Sequence, residues 1–111
     1  MKIEKGKAGG MTVLAPKEGL NHQTRDEMEG HFNECLDQFR TKIILDCKEV
    51  PYFDSEGLEM LIATDEKLRK RGGILKIIGL NSLCRDIFVS TRLINTLHIY
   101  NDIHEAIKDV I

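Results

Sequence analysis

The chain has 111 residues, of which 41% are hydrophobic, and this length suits one compact domain with one core. Charged residues make up 31% with both signs interspersed, and the net charge of -2 supplies no basic field to gather phosphate backbones or anionic lipid. We therefore predict a single domain over residues 1–111, with neither nucleic acid nor a membrane as a partner.

The apolar runs are too short for membrane insertion or export. They reach no more than four residues, whereas a bilayer span needs about 20. Residues 1–7 carry charge but lack the apolar stretch of a secretory signal, so we expect a cytoplasmic protein.

The residues that most often bind metals are scattered along the chain. Cys35, Cys47 and Cys84 lie far apart in apolar surroundings, which favours reduced thiols in the core over disulfides. The four histidines fall in unrelated segments without paired ligand spacing: His22, His31, His98 and His104. We predict neither a metal site nor a cofactor.

The first elements in chain order are two short strands, over residues 2–4 and 11–15, joined by a glycine-rich turn. Thr24 with Glu27 fits a capping box at the start of a helix over residues 24–39. Apolar residues follow at helical spacing and define its inner face: Met28, Phe32, Cys35, Leu36 and Phe39. Residues 43–45 form a continuous apolar run, which is typical of a strand buried on both faces.

The second helix begins at Asp54 or Ser55 and ends at the glycine pair of residues 72–73. Its acid and base residues are spaced as favourable pairs on the solvent side, namely Asp65 with Arg69 and Glu66 with Lys70. Its apolar stripe is expected at Leu58, Leu61, Ile62 and Leu68.

The last third of the chain continues the alternation. Residues 74–78 predict a buried strand, and residues 97–100 a short one. Between them a helix capped by Asn81 or Ser82 should direct Leu83, Ile87, Phe88 and Thr91 inward. A terminal helix starts at Asp102 and should bury Ile103, Ala106, Ile107 and Val110. Alternating strands and helices predict an α/β fold with a mixed, mainly parallel sheet of about five strands and about four helices.

Residues 50–58 form the candidate functional segment. They join the most buried strand to the second helix, and the loops at the carboxyl ends of strands are where partners and ligands meet helix N-termini. Asp54 and Glu56 flank the hydroxyl of Ser55, and Pro51 keeps Val50 extended. Ser55 should therefore be exposed at a helix start.

Two interpretations of this serine remain open from the residues alone. Ser55 or Asp54 can serve only as a helix N-cap, which stabilises by about 1 kcal/mol. Alternatively, a phosphate on Ser55 would be tolerated by the helix dipole while adding a charge of about -1.5 to -2 beside two carboxylates. A partner fitted to that corner would then be repelled.

The segment over residues 42–58 resembles the signature of the STAS family, named for sulfate transporters and anti-sigma factor antagonists. The matching features are an apolar run ending in Leu45 and Asp46, followed by Asp54, Ser55, a variable residue, Gly57 and Leu58. The resemblance extends over residues 12–111, since the later strand and helix also fall where the family places them. It implies a STAS-like fold.

The resemblance also implies a regulatory partner switch. In antagonists of this type the serine after the aspartate, here Ser55, is phosphorylated by an anti-sigma factor that is itself a serine kinase, and a serine phosphatase reverses the reaction. The unmodified form binds the anti-sigma factor and frees the sigma factor. The partner-binding residues implied are Asp54, Ser55, Glu56, Gly57 and Asn21.

Other functions were weighed against this one. Glu56 stands where the family usually has a small residue, which favours a scaffold subunit of a stress-signalling or lipid-transport complex that is not phosphorylated. A hydrolase built from Ser55, Asp54 and a histidine would need a nucleophile elbow that the sequence lacks, so we predict that the protein is not an enzyme. The sequence leaves open whether the chain is a monomer or a dimer.

Overall fold

The computed structural model describes all 111 residues, and its elements follow the predicted order. Five strands form: β1 (Ile3–Ala8), β2 (Met11–Pro16), β3 (Lys42–Asp46), β4 (Ile74–Ile78) and β5 (His98–Tyr100). Four α-helices alternate with them: α1 (Arg25–Asp37), α2 (Ser55–Lys70), α3 (Ser82–Ser90) and α4 (Ile103–Lys108). A single 3-10 turn, Leu93–Asn95, precedes β5. None of the helices has the length and apolar character that crossing a bilayer requires.

The strands form one sheet in the order β1-β2-β3-β4-β5. The β1–β2 hairpin is antiparallel and turns through Gly9 and Gly10, both at positive φ, which glycine adopts without a steric penalty. All later pairs are parallel, so the carboxyl ends of β2, β3 and β4 lie at one edge of the sheet. The prediction of a mixed, mainly parallel sheet is confirmed.

The two faces of the sheet are covered unequally. Helices α1, α2 and α3 contribute to one cluster of 21 buried residues on the first face, which includes Met28, Leu61 and Phe88. The second face has a cluster of 5 buried residues, to which α4 contributes Ala106. Right-handed crossovers that always advance in the same direction place the three long helices on the same face.

Several inward-facing residues were wrongly predicted. In α3 the buried residues are Cys84 and Phe88, whereas Leu83 is 56% exposed and Thr91 is also exposed. The edge of the Phe88 ring meets Phe53 at 5.2 Å between centroids, and this contact fixes the rotation of the helix. The other predicted core residues that prove exposed are Ile62, Ile107, Val110 and Phe39.

The starts of the helices agree only partly with the expected caps. Asn81 caps α3 by accepting from the Cys84 amide, and Asp102 caps α4 by accepting from the Glu105 amide. Thr24 forms no capping box, because its hydroxyl donates to the Gly19 carbonyl at 2.7 Å instead. The threonine thus ties the start of α1 to the loop before it.

The charge pairs of α2 were also only partly predicted. Asp65 binds Arg69 at 3.0 Å, but its carboxylate is buried and does not lie on the solvent side. Glu66 and Lys70 form no ion pair. Asp65 therefore belongs to the buried part of α2.

A buried lysine holds α4 against the second face of the sheet. Lys76, in the middle of β4, is 1% exposed, and its ammonium donates to the carbonyls of Ala106 at 2.7 Å and Asp109 at 2.6 Å. The ammonium also lies 5.3 Å from the centre of the Tyr100 ring, within range of a cation–π attraction. Lys76 therefore acts as the C-terminal cap of α4 from outside the helix.

The Tyr100 phenol offers a spectroscopic test of this packing. Burial and then its hydrogen bond to Asp109 raise the pKa of Tyr100 to about 12. Because the folded pKa lies above the ordinary value of 10.0, the contribution to stability is complete below pH 10 and is lost as the pH rises towards 12. The chain has two tyrosines, so Tyr52→Phe leaves Tyr100 as the only phenol, and its absorbance at alkaline pH should titrate near 12. A midpoint near 10 in the folded protein would contradict the packing.

Candidate functional site

The candidate site lies where β3 and β2 end. The loop after β3 runs from Cys47 to Asp54 and leads into α2, and the loop after β2 passes beside it before α1 begins. A parallel bridge between Leu20 and Phe53 joins the two loops, with the Asp54 amide donating to the Leu20 carbonyl at 3.2 Å. The two segments therefore form one corner at the carboxyl edge of the sheet.

Asp54 links the two halves of this corner with its two carboxylate oxygens. Oδ1 accepts from the Gly57 amide at 2.9 Å and so caps α2, as the sequence predicted. Oδ2 accepts from the His22 amide at 2.9 Å and lies 3.1 Å from the His22 ring nitrogen Nδ1. The bond from the Gly57 amide, followed by the contacts with His22, lowers the pKa of Asp54, so the carboxylate stays charged at neutral pH.

Gly57 is required because the two backbones come very close. A Cβ atom at this position would lie 2.0 Å from the Leu20 carbonyl oxygen and 2.7 Å from its carbon. No side chain can fit there without moving the loop after β2 or the start of α2. The glycine of the Asp-Ser-x-Gly-Leu pattern thus serves the packing of the corner.

Asn21 is buried and organises the loop before α1. Its side-chain oxygen accepts from the amides of Gln23 and Thr24 at 2.8 and 3.1 Å, and its amide nitrogen donates to the Tyr52 hydroxyl at 2.8 Å. Gly19 allows the Tyr52 ring to pass, since a Cβ there would lie 2.7 Å from the ring. Asn21 and Gly57 are therefore buried residues that hold the loops of the corner in place. Their direct contact with a partner stays a prediction.

Ser55 is the first residue of α2 and is exposed. Its hydroxyl makes no hydrogen bond within the protein, because Asp54 supplies the cap in its place. Glu56 is half-buried, and its carboxylate pairs with Arg25 of α1 at 3.3 Å. The corner thus offers a free hydroxyl between a fixed carboxylate and a second carboxylate that is already ion-paired.

The sequence located the segment over residues 50–58 but not its neighbours. His22, Leu20 and Arg25 were missed as members of the site, whereas Tyr52 lies within the predicted segment. One weak indication of these neighbours was present in the sequence. Gly19 and Asn21 lie in the loop after β2, and loops that follow parallel strands meet at the same edge of the sheet.

The exposed surface of this corner is polar. His22 contacts Asp54, yet no hydrogen bond joins its ring to the Ser55 hydroxyl, as activation of a nucleophile would require. The exposed atoms are a hydroxyl and carboxylates at a helix start, flanked by the half-exposed Tyr52 ring. The fold and this corner define a small α/β domain with an exposed helix N-terminus at the carboxyl edge of its sheet.

Comparison with known proteins identifies the family. The sequence profile of the STAS domain matches residues 2–106, and the chain belongs to this family. Among curated proteins, it is 24% identical over 88 residues to BtrV of Bordetella bronchiseptica, which is named as an anti-sigma factor antagonist; the match covers 79% of this chain and 76% of BtrV. The resemblance found in the sequence is thereby confirmed.

Solved structures share the fold closely. A Thermotoga maritima protein described as an anti-sigma factor antagonist superimposes with a TM-score of 0.91 at 23% identity, over 97% of this chain and 93% of the other. The unphosphorylated form of the anti-sigma factor antagonist SpoIIAA gives 0.70 at 12% identity, over 95% and 93% of the two chains. A sulfate transporter family protein of Wolinella succinogenes gives 0.76 at 21% identity, covering 88% and 82%. The same fold therefore occurs in regulators and in transporter-associated domains.

Proposed function

We propose that the protein is a cytoplasmic anti-sigma factor antagonist that binds its anti-sigma factor when Ser55 is unmodified and releases it when Ser55 is phosphorylated. The observation that carries the proposal is the exposed, unbonded hydroxyl of Ser55 at the first position of α2. Antagonists are also prominent among the similar proteins, including BtrV and SpoIIAA. The kinase would be the anti-sigma factor itself, and a serine phosphatase would reset the switch.

The geometry supports a switch that acts through charge. A phosphate on Ser55 adds about -1.5 to -2 charges between the side chains of Asp54 and Glu56. The fold can tolerate it, since the positive end of the helix dipole faces the phosphate and the Asp54 cap uses backbone amides that the serine does not occupy. The phosphate would therefore repel the partner without unfolding the domain.

The test begins with a kinase reaction. The protein is incubated with ATP and each anti-sigma kinase candidate of the source organism, followed by intact mass measurement and peptide mapping. We expect one phosphate on Ser55, none on the Ser55→Ala variant, and binding to the anti-sigma factor about 100-fold weaker after modification, in line with the loss of a desolvated charged contact.

Ser82 provides a matched control. Like Ser55, Ser82 is exposed and lies in the first turn of a helix, directly after the capping residue, which is an Asn in α3. Ser82→Asp therefore adds the same charge as Ser55→Asp, at the equivalent position of another helix. Ser55→Asp should weaken binding while Ser82→Asp should not. Equal affinities for Ser55→Asp and the unmodified protein would refute the switch.

The scaffold role is a second candidate, favoured by the Glu56–Arg25 pair. This ion pair keeps a permanent carboxylate next to Ser55, so a partner of the unmodified protein already accommodates negative charge at the corner. A scaffold subunit would be recovered from cell extract in a large complex that persists with Ser55→Asp. Absence of any phosphate together with such a complex would support the scaffold role over the switch.

A further inference from the structure

A concave surface lies at the opposite edge of the sheet from Ser55. A cavity of about 410 Å³ opens between the β1–β2 hairpin and the segment that joins α1 to β3. A second cavity of about 200 Å³ adjoins it and shares Lys7, Thr12 and Arg40 among its lining residues. We call this surface the basic groove and define it by Lys7, Thr12, Phe39, Arg40 and Lys42.

The cations of the groove have no partners within the protein. Lys7, Arg40 and Lys42 are exposed, and none of them forms an ion pair or a side-chain hydrogen bond. The Thr12 hydroxyl is also without a hydrogen bond although the residue is 8% exposed. The chain as a whole carries a net charge of -2, whereas the groove has three unpaired cations around one concavity and is locally positive.

Phe39 is held in the groove at a cost in stability. It has φ of 57°, in the left-handed region that disfavours a bulky side chain, and it is 86% exposed. The Phe39 amide donates to Leu36 and the Arg40 amide donates to Cys35, so this residue occupies the position after a helix where glycine is preferred. The ring contributes nothing to the core, and the strained backbone points to a role outside the fold.

His31 adds an unsatisfied polar atom to the second cavity. Its Nδ1 atom is buried and has no hydrogen-bond partner, and the ring lines the cavity beside Lys5 and Glu34. Burial and the nearby Lys5 lower the pKa of His31, which leaves the ring neutral at physiological pH.

We propose that the basic groove docks an acidic segment of a partner protein, with carboxylates on Lys7, Arg40 and Lys42 and an apolar side chain against Phe39. The unpaired cations of the groove complement the charge of an acidic segment, and the exposed Phe39 ring offers an apolar contact to one residue of that segment. A protein segment fits better than a membrane because the cations surround a concavity, which a narrow peptide can enter but a flat anionic surface cannot.

The test uses a random twelve-residue peptide library displayed on phage and selected on the unmodified full chain. Enriched peptides should carry at least two carboxylates around an apolar residue. Their synthetic forms should bind Lys7→Gln/Lys42→Gln at least tenfold more weakly than the unmodified protein, as expected for the loss of two charge-assisted contacts. Lys67→Gln/Lys70→Gln removes the same charge from the exposed end of α2 and should leave affinity unchanged.

Phe39→Gly separates the docking role from folding. It should raise the melting temperature, since glycine adopts this backbone freely, and at the same time weaken peptide binding at least fivefold. Selection of peptides without acidic character, or equal binding by both lysine pairs, would overturn the proposal. So would binding to vesicles with 30% phosphatidylserine that depends on Lys7 and Lys42, which would identify a membrane as the occupant in place of a protein segment.

Discussion

Gly57→Ala is expected to lower the free energy of unfolding by about 3 kcal/mol, which corresponds to a fall of about 12 °C in the melting temperature. The added methyl would lie 2.0 Å from the Leu20 carbonyl oxygen, and that oxygen belongs to backbone that cannot rotate away. Moving it would also break the hydrogen bond from the Asp54 amide to Leu20. Urea titration followed by circular dichroism measures the effect.

Two other glycines in the chain provide matched controls for this substitution. Gly30 lies within α1 with nothing near its virtual Cβ, so Gly30→Ala should stabilise by about 0.5–1 kcal/mol. Gly73→Ala creates a similar clash, at 2.0 Å from the Thr41 carbonyl oxygen, but far from Ser55. It should destabilise comparably while leaving partner binding by the folded protein intact, whereas Gly57→Ala should reduce both. A fully stable Gly57→Ala protein would show that the two loops are not in contact.

Lys76→Met is expected to destabilise by about 2 kcal/mol, mainly by releasing α4 from the sheet. The thioether keeps the apolar stem of the side chain but cannot donate to the carbonyls of Ala106 and Asp109. Hydrogen exchange resolved by residue should show faster exchange over Ile103–Lys108 and little change in α2.

Lys67→Met is the matched control, because Lys67 is exposed and makes no ion pair. It should leave both the stability and the exchange of α4 unchanged. Replacing a buried ion by an apolar side chain is neutral in some proteins, since the cost of desolvation disappears with the charge. Unchanged stability of Lys76→Met would contradict the prediction, because the two hydrogen bonds of the ammonium would then do no more than offset the cost of burying its charge.

The order and type of the elements could be predicted because their sequence patterns are unambiguous. Residues 43–45 are apolar without a break and residues 74–78 are apolar except for Lys76, and short runs of this kind are typical of strands covered on both faces. The rotation of α3 could not be predicted, because Leu83 with Ile87 and Cys84 with Phe88 are both spaced by four residues. The contact between Phe53 and Phe88 decides between them, and it joins residues 35 positions apart.

The candidate site was predictable only for the part that is contiguous in the chain. Asp54 and Ser55 follow a buried strand and precede an amphipathic stripe, which defines a helix start from local information. The contacts of Asp54 with His22 and of Gly57 with Leu20 depend on how closely two loops approach in space. Likewise, Lys76 within an apolar run gave no indication of the carbonyls that it meets some 30 residues later.

The strand order has a consequence for the kind of molecule that the Ser55 corner can accept. In sheets whose strand order reverses, the helices on either side diverge at the reversal and leave a crevice in which small ligands bind. Here the order runs from β1 to β5 without reversal, so α1 and α2 stay side by side and no crevice opens between them at that edge. The start of α2 therefore has no crevice between it and α1, and we expect it to suit the surface of a partner protein better than a small ligand.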